Sequence, residues 1–142
     1  MEVREAVEGD AEGLAAIADA PTDAMVNLIH DRSVRVAIDH TVPGPNVDAR
    51  AEHGEETLLG YVSFDAGPDA VHVTQLDGTV DACEQLLEEP LSFARRERMG
   101  VELLVPEDET DAREAAEAVG FDRLGSGPRF EGRETVRYRF EP

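Results

Sequence analysis

Residues 101–121 read VELLVPEDETDAREAAEAVGF, which joins the pattern of a strand to that of a helix. The run Val101–Val105 is nearly continuously apolar, as expected of a buried strand. Small or apolar residues then recur at i, i+3, i+4 and i+7, the spacing of one helix face: Ala112, Ala115, Ala116 and Val119. Gly120 is well placed to end that helix. We therefore predict a buried strand followed by a helix.

Outward from this unit, two periodicities divide the chain into strands and helices. Alternating or apolar runs predict further strands at Val3–Val7, Val34–Ile38, Thr57–Phe64, Ala70–Leu76, Phe121–Leu124 and Thr135–Phe140. Helical spacing predicts helices at Asp10–Ala20, at a segment carrying Met25–Ile29, and at Val80–Arg98. We predict a single α/β (α+β) domain over residues 1–142, with a central mixed, largely antiparallel sheet and helices on both faces.

Three local features carry more specific expectations. His40–Glu56 contains two prolines, glycine, asparagine and several charged residues, so it is predicted to be a long, exposed and mobile loop. Pro90 lies inside the third predicted helix and lacks an N–H group, so a kink or a break is expected near Glu89. Asp111 and Glu114 have the spacing of a capping box at the start of the last helix.

The charge of the chain is its most unusual bulk property. Among 142 residues there are 32 acidic and 13 basic ones, all of the latter arginine, and the net charge is −19. We interpret this as a solvated surface adapted to high salt, because self-repulsion opposes folding in dilute buffer and molar salt screens it. A surface for a basic partner is the alternative. Binding to nucleic acid is not expected, since no basic stripe is present.

Composition also bears on compartment and on metals. Cys83 is the only cysteine, so no intrachain disulfide can form. Met1 is followed by no apolar signal segment, and no run approaches the ~20 apolar residues that a membrane span needs. A soluble protein of a high-salt cytoplasm is therefore expected. No metal site is predicted, because the acids and histidines in or near the long loop lack ligand spacing: Asp39, His40, Asp48 and His53.

The order of elements, together with Val101–Val105 and Ala115–Phe121, resembles the GNAT family of N-acetyltransferases. The opening Val3–Ala6 with Asp10–Glu12 is similar to the usual start of that family, and Leu59–Val62 is similar to its third strand. The resemblance spans essentially residues 1–142 and is most specific at the C-terminal strand and helix.

This resemblance implies that acetyl-CoA or CoA binds in a V-shaped opening between two central strands. It also implies that a loop of pattern Gln/Arg-x-x-Gly-x-Gly/Ala opens the next helix and binds the pyrophosphate through backbone N–H groups. Aligning the family's Leu-Leu pair on Leu86-Leu87 places that pattern on Gly78–Cys83. The residues assigned to the cofactor are then Val73, Gln75, Leu76, Gly78, Thr79, Val80, Asp81 and Cys83.

The chain departs from the family pattern where phosphate would bind. Gly78 replaces the basic or amide residue, and Asp81 and Cys83 replace the two glycines. One carboxylate ~4 Å from a phosphate charge costs about 4 kcal/mol at an effective dielectric of ~20. Asp81 is also expected to cap the helix that follows, which would fill the anion site with a side chain. The family's frequent tyrosine acid falls on Ala116.

Several side chains near the expected opening are candidates for catalysis, each with a simpler structural explanation. His72 is a candidate general base, although a strand residue on a half-solvated face is favoured. Tyr61 and Tyr138 are favoured as packing residues over acids, and Cys83 as a small buried thiol over a reactive one at a helix start. Three arginines are favoured as cations at a helix C-terminus over ligands of the 3′-phosphate of CoA: Arg95, Arg96 and Arg98.

Two functions remain open on the sequence. The first is an acetyl-CoA-dependent N-acetyltransferase with weak or altered CoA binding, acting on an unknown amine of a small molecule or a protein. The alternative is a non-catalytic module of the same fold that binds a ligand or a protein. The sequence leaves open whether the chain forms a homodimer.

Overall fold

The computed structural model describes residues 1–40, 56–129 and 132–142, and within them one seven-stranded sheet forms the centre of the molecule. The strands are β1 (Glu2–Glu5), β2 (Ser33–His40), β3 (Glu56–Ala66), β4 (Ala70–Gly78), β5 (Gly100–Pro106), β6 (Asp122–Ser126) and β7 (Thr135–Phe140). Their order in the sheet is β1-β2-β3-β4-β5-β7-β6. Only the β4–β5 pair is parallel; the other five are antiparallel. The predicted fold class is confirmed.

Four helices cover the two faces of this sheet: α1 (Ala11–Ala18), α2 (Thr22–Asp31), α3 (Val80–Glu97) and α4 (Thr110–Ala118). The buried residues form two clusters, one beneath α1 and α2 and the other beneath α3 and α4. β2 contributes to both, because successive side chains of a strand point to opposite faces. Val36 belongs to the first cluster and Ala37 to the second.

The apolar stripe of α3 holds the larger cluster together. Cys83, Leu87, Leu91 and Ala94 are fully buried, as the helical spacing predicted. A kink or a break was expected near Glu89. The helix runs unbroken from Val80 to Glu97, so the break was wrong and the kink stays a prediction. Pro90 is itself buried on the stripe, and its contacts with the core offset the loss of one backbone hydrogen bond.

The structure corrects two predicted helix starts and confirms one helix end. The cap of α3 is Thr79, whose Oγ1 accepts a hydrogen bond from the Ala82 N–H at 3.2 Å, and not Asp81. The cap position of α4 is Glu109, so Asp111 lies in the first turn and the predicted capping box is absent. Gly120 follows α4 with φ of +104°, as its predicted role as a helix stop requires.

The predicted loop His40–Glu56 is flanked by the hairpin strands β2 and β3, which end and begin at those residues. Its interior, residues 41–55, lies outside the described residues. The predicted mobility of that segment therefore stays a prediction.

A close backbone crossing fixes the end of β4 against β3. Gly60 and Gly78 are paired residues of the two strands. A Cβ atom on Gly78 would lie 2.4 Å from the Leu59 carbonyl oxygen and 2.5 Å from the Gly60 Cα, and one on Gly60 would lie 2.5 Å from the Asp77 carbonyl oxygen. Gly78 also has φ of +137°, which favours glycine. Gly78 is therefore required by the strand crossing.

This crossing predicts a large loss of stability on Gly78→Ala. Gly125→Ala is the matched control, because Gly125 has a similar φ of +129° but nothing within 4 Å of its added Cβ. The control should cost about 1–2 kcal/mol through backbone strain alone. Gly78→Ala should cost at least ~2 kcal/mol more, because two backbones must move apart. Chemical denaturation of both variants in the same KCl buffer measures the difference, and equal losses would contradict the crossing as described.

Candidate functional site at the opening between β4 and β5

The parallel pairing of β4 and β5 stops before either strand ends. It runs from Ala70 opposite Gly100 to Val73 opposite Leu103. β4 nevertheless continues to Gly78, and β5 continues to Pro106. Beyond Val73 the two strands diverge, which leaves a wedge-shaped opening between them. The V-shaped opening implied by the family resemblance is thus present.

A bulge in β4 marks the point of divergence. Ser63 of β3 is opposite Gln75 while the adjacent Phe64 is opposite Val73, so Thr74 is an extra residue in β4. The Thr74 hydroxyl donates to the Ser63 carbonyl at 3.1 Å and lies 2.9 Å from Ser63 Oγ. A bulge bends its strand and increases the local twist. The bulge therefore turns the second half of β4 away from β5 while its pairing with β3 is kept.

A cavity of about 760 Å³ lies at this opening. Its walls are the second halves of β4 and β5, the end of α1 and start of α2, and parts of β3, β6 and β7. This volume suits a small-molecule ligand. The side chains in its wall that can titrate or donate include Asp19, Tyr61, His72, Asp77, Glu102 and Arg137.

Three of the residues assigned to the cofactor line this cavity together with the candidate base. They are Val73, Gln75 and Leu76, and His72 lies beside them. Because β4 loses its β5 partner after Val73, the backbone groups on that edge of β4 are open to a ligand in the cavity. This edge can supply the N–H donors that an acyl-transfer site requires.

The other predicted cofactor residues lie elsewhere. Gly78, Thr79, Val80, Asp81 and Cys83 do not line the cavity. β4 ends at Gly78 and α3 begins at Val80, so a single residue, Thr79, connects them. This part of the predicted site is therefore not brought together with the cavity.

Most backbone donors of this connection already have protein partners. Gly78 N–H donates to Asp77 Oδ1 at 2.8 Å, and Thr79 N–H donates to the Leu59 carbonyl at 3.2 Å. The Ala82 and Cys83 N–H groups donate to the side chain and the carbonyl of Thr79. Among the described residues, only the N–H groups of Val80 and Asp81 in this segment have no protein acceptor.

Cys83 points into the core. Its side chain is fully buried, as predicted, and burial raises the pKa of its thiol to about 12, with further contributions from Asp77, Asp111 and Glu109. A reactive thiolate at the helix start is therefore not supported. Cys83 lies on the buried face of α3, so its side chain does not obstruct a ligand at the surface. Its place in the glycine pattern had suggested such an obstruction.

The potential near the start of α3 is negative. Burial raises the pKa of the Asp77 carboxyl, and the neighbouring charge of Glu109 raises it further. Burial also raises the pKa of Tyr61 well above its usual value, again with contributions from Asp77 and Glu109. Arg133 is the nearby cation, but it is paired with Asp108 at 2.5 Å and Glu109 at 3.1 Å. The acids outweigh the arginine at this end of the cavity.

A row of three polar side chains crosses the sheet next to the opening. His72, Glu102 and Arg139 are register partners on β4, β5 and β7. His72 Nδ1 lies 3.2 Å from Glu102 Oε2, and Arg139 Nη1 donates to Glu102 Oε1 at 2.6 Å. His72 is half-exposed. Glu102 was missed by the sequence analysis, although it is the only charged residue in the otherwise apolar run Val101–Val105 and that signal was available.

The tyrosines have packing positions with satisfied hydroxyls. Tyr61 is buried, and its hydroxyl donates to Gln75 Oε1 at 2.7 Å, which holds Gln75 against the cavity wall. Tyr138 is buried, and its hydroxyl donates to Glu117 Oε2 at 3.4 Å. Both agree with the favoured interpretation as packing residues.

Arg95, Arg96 and Arg98 lie at the C-terminal end of α3, whereas the segment predicted to bind the pyrophosphate, Gly78–Cys83, lies at its start. α3 is 18 residues long, which at ~1.5 Å per residue separates its ends by ~27 Å. Arg95 lies over the ring of Phe140 at 5.5 Å and is 3.5 Å from Glu88, and Arg96 lies over Phe93. Arg98 is the C-terminal cap, with φ of 57°. These positions fit cations at a helix C-terminus.

Within residues 1–40, 56–129 and 132–142, no group of three or more histidine, cysteine or acidic side chains could hold a metal ion. Over the same residues, no helix is long and apolar enough to cross a membrane.

Comparison with solved structures places this site in a known fold. NAA60 of Arabidopsis thaliana, solved in complex with acetyl-CoA, has a TM-score of 0.71 and 16% identity, with 99% of each chain covered. An N-acetyltransferase from Staphylococcus aureus Mu50 has a TM-score of 0.69 and 11% identity, with 99% of this chain and 96% of that one covered. A ribosomal-protein-alanine N-acetyltransferase from Brucella melitensis has a TM-score of 0.67 and 13% identity, with 100% of both covered.

No protein-family model matches the sequence, and no curated protein matches it. At such low identity, the likeness to solved structures concerns the fold. The fold is that of the GNAT acetyltransferases, as the resemblance in sequence predicted.

The raised pKa of Asp77 predicts that Asp77→Asn stabilises the protein at neutral pH. Asparagine keeps an acceptor for the Gly78 N–H and removes a charge that the folded state disfavours. The melting midpoint at pH 7 should rise by roughly 1–3 °C, a small gain because the carboxylate is half-exposed and screened.

The gain should shrink as the pH falls through the folded-state pKa of Asp77 and vanish below its ordinary value of 3.8, where both states are protonated. Asp69→Asn, at an exposed residue of the β3–β4 turn, controls for the general loss of one negative charge. A gain that does not depend on pH, or that equals the control, would contradict the assignment.

Proposed function

We propose that this chain is an N-acetyltransferase that moves an acetyl group from a CoA thioester to an amine. The observation that supports this most is the divergence of β4 from β5 at Val73, next to a bulge and a cavity of about 760 Å³. The opening offers backbone donors on one strand and a titratable side chain beside them. NAA60 of Arabidopsis thaliana, which shares the fold, was solved with acetyl-CoA.

The residues present fit one part of acetyl-CoA and not another. The pantetheine arm carries amide groups, and these match the backbone edge of β4 from Thr74 to Leu76, which has no β5 partner. The pyrophosphate finds few backbone donors, because Thr79 alone connects β4 to α3 and most N–H groups of Gly78–Cys83 already have protein acceptors. Val80 and Asp81 offer two N–H groups for it, beside the Asp81 carboxylate. We therefore infer weak or altered CoA binding.

A bound acetyl thioester would supply the activated carbonyl. The chain would contribute backbone N–H groups of β4 between Thr74 and Leu76, which can hold the oxygen of that carbonyl as it gains negative charge. Backbone donors of this kind do not depend on side-chain identity, so the loss of the family's glycines leaves them intact.

His72 is proposed as the proton acceptor for the attacking amine. In its neutral form, the contact of Nδ1 with Glu102 places the ring proton on that nitrogen and leaves Nε2 free to accept a proton. Arg139 in turn holds Glu102 by its other oxygen. Ala116, at the family's tyrosine position, supplies no acid, so the leaving thiolate is protonated from solvent. The acceptor is an amine of a small molecule or of a protein.

Acetyl transfer can be tested with a panel of primary amines and N-terminal peptides in ~2 M KCl, with product detected by mass spectrometry. The proposal expects an acetylated product for at least one acceptor. Saturable ligand binding without any product would instead favour the non-catalytic module.

The role of His72 predicts the effect of its replacement. His72→Asn should lower kcat by about 10²-fold or more with a smaller change in KM, because general base catalysis is lost. Glu102→Gln should lower kcat less, by roughly tenfold, since Nδ1 keeps an acceptor. His30→Asn is the matched control, because His30 is an exposed histidine of α2 that lies beside Glu8 and does not line the cavity. Equal activity of His72→Asn and His30→Asn would remove His72 from the mechanism.

A further inference from the structure

The start of α3 leaves two backbone donors, the N–H groups of Val80 and Asp81, without a protein acceptor among the described residues. In the segment Gly78–Cys83, the N–H groups of Gly78, Thr79, Ala82 and Cys83 all have protein acceptors. The acceptor of the Gly78 N–H is a carboxylate, Asp77 Oδ1, at 2.8 Å. An anion that approached this helix end would meet a carboxylate where a free N–H group is needed.

The charges around the same helix end also disfavour phosphate. Asp77 and Asp81 flank the connection, and Glu109 and Asp111 begin α4 beside it. Glu109 acts on Asp77 and also on Cys83 at the buried side of the helix start, which shows that these acids share one region. The arginine of this region, Arg133, is paired with Asp108 and Glu109. Among the described residues, the acids named at this helix end therefore outnumber that arginine.

The part of the opening along β4 from Val73 to Leu76 carries no acidic side chain of β4. The β4 edge beyond Val73 is free of a strand partner, and the cavity wall there contains Val73, Thr74, Gln75 and Leu76. Gln75 is held in place by the Tyr61 hydroxyl at 2.7 Å. These groups are uncharged and suit an uncharged chain of amides. The two ends of the opening therefore differ in the chemistry that they accept.

From this contrast we propose that the site recognises its acyl donor by the pantetheine thioester arm alone and makes no favourable contact with the nucleotide of CoA. This rests on the proposed acetyl transfer and specifies its donor. It follows that a thioester that ends at pantetheine serves as well as the full coenzyme, and that the nucleotide part by itself does not bind.

The direct test compares acetyl-CoA with acetylpantetheine as donors for the wild-type chain. Both are assayed with the same amine in the lowest KCl concentration that keeps the protein fully folded, because electrostatic differences are largest there. The ratio of kcat/KM values for the two donors should be below tenfold. A preference of tenfold or more for acetyl-CoA would overturn the proposal.

Binding measurements test how the donor is recognised separately from catalysis. Titration calorimetry with CoA, pantetheine and adenosine 3′,5′-diphosphate needs no turnover. Pantetheine should bind within tenfold of CoA, and the diphosphate should show no binding. If neither donor gives product but this pattern of affinities holds, acetyl transfer fails while the inference about recognition stands. Binding of the diphosphate, tenfold tighter binding of CoA, or no binding of any of the three would overturn the inference.

A matched pair of variants tests the physical reason. Asp81→Asn removes an exposed charge in the first turn of α3, and Glu97→Gln removes one at its last residue. Asp81→Asn should improve CoA affinity by about three- to tenfold in low salt and change pantetheine affinity less than twofold. Glu97→Gln should change neither. A gain that is the same for both ligands, or no gain for CoA, would show that charge at the helix start does not govern donor choice.

Discussion

The parallel pairing of β4 with β5 is the constraint on which the rest of the structure depends. Parallel neighbours need a crossover connection, and here that connection is α3, whose buried leucines fix the two strands from one face. Each strand also has an antiparallel neighbour on its outer side, β3 for β4 and β7 for β5. Both strands can therefore stay extended after they separate, and the backbone groups between them are left for a ligand.

The C-terminal end of β4 is also constrained by α3, because only Thr79 separates the strand from the helix. Gly60 and Gly78 let β3 and β4 approach without Cβ atoms, and Thr79 closes the connection by capping the helix. In this segment the N–H groups of Gly78, Thr79, Ala82 and Cys83 donate within the protein, and those of Val80 and Asp81 have no acceptor among the described residues.

Much of the fold could be predicted from the sequence because burial leaves a periodic pattern. β7 was predicted with its observed bounds, Thr135–Phe140, and the buried stripe of α3 was predicted correctly. The errors have local causes. Pro90 does not break α3 because the proline is itself buried in the core, and the cap of α3 is Thr79 because side-chain geometry, which spacing does not reveal, decides it.

The site was harder to predict, since it depends on strand register. His72 and Glu102 are 30 positions apart along the chain, yet they are neighbours because β4 and β5 pair in one register. The direction of Cys83 into the core followed from its place on the apolar stripe of α3, whereas the family motif places it where a glycine contacts phosphate. The sequence identified Gly78–Cys83 as the segment that departs from the family pattern, and the structure places that segment at the end of β4, in Thr79 and in the first turn of α3.

Residue-resolved amide hydrogen exchange with and without acetylpantetheine tests the central claim most directly, because it locates the ligand on the backbone. If the donor lies along the open edge of β4, at least one amide between Thr74 and Asp77 should become more protected, while the amides of Val80 and Asp81 at the start of α3 should not change. Protection confined to Val80 and Asp81, or no change anywhere in β4 at saturating ligand, would contradict the account.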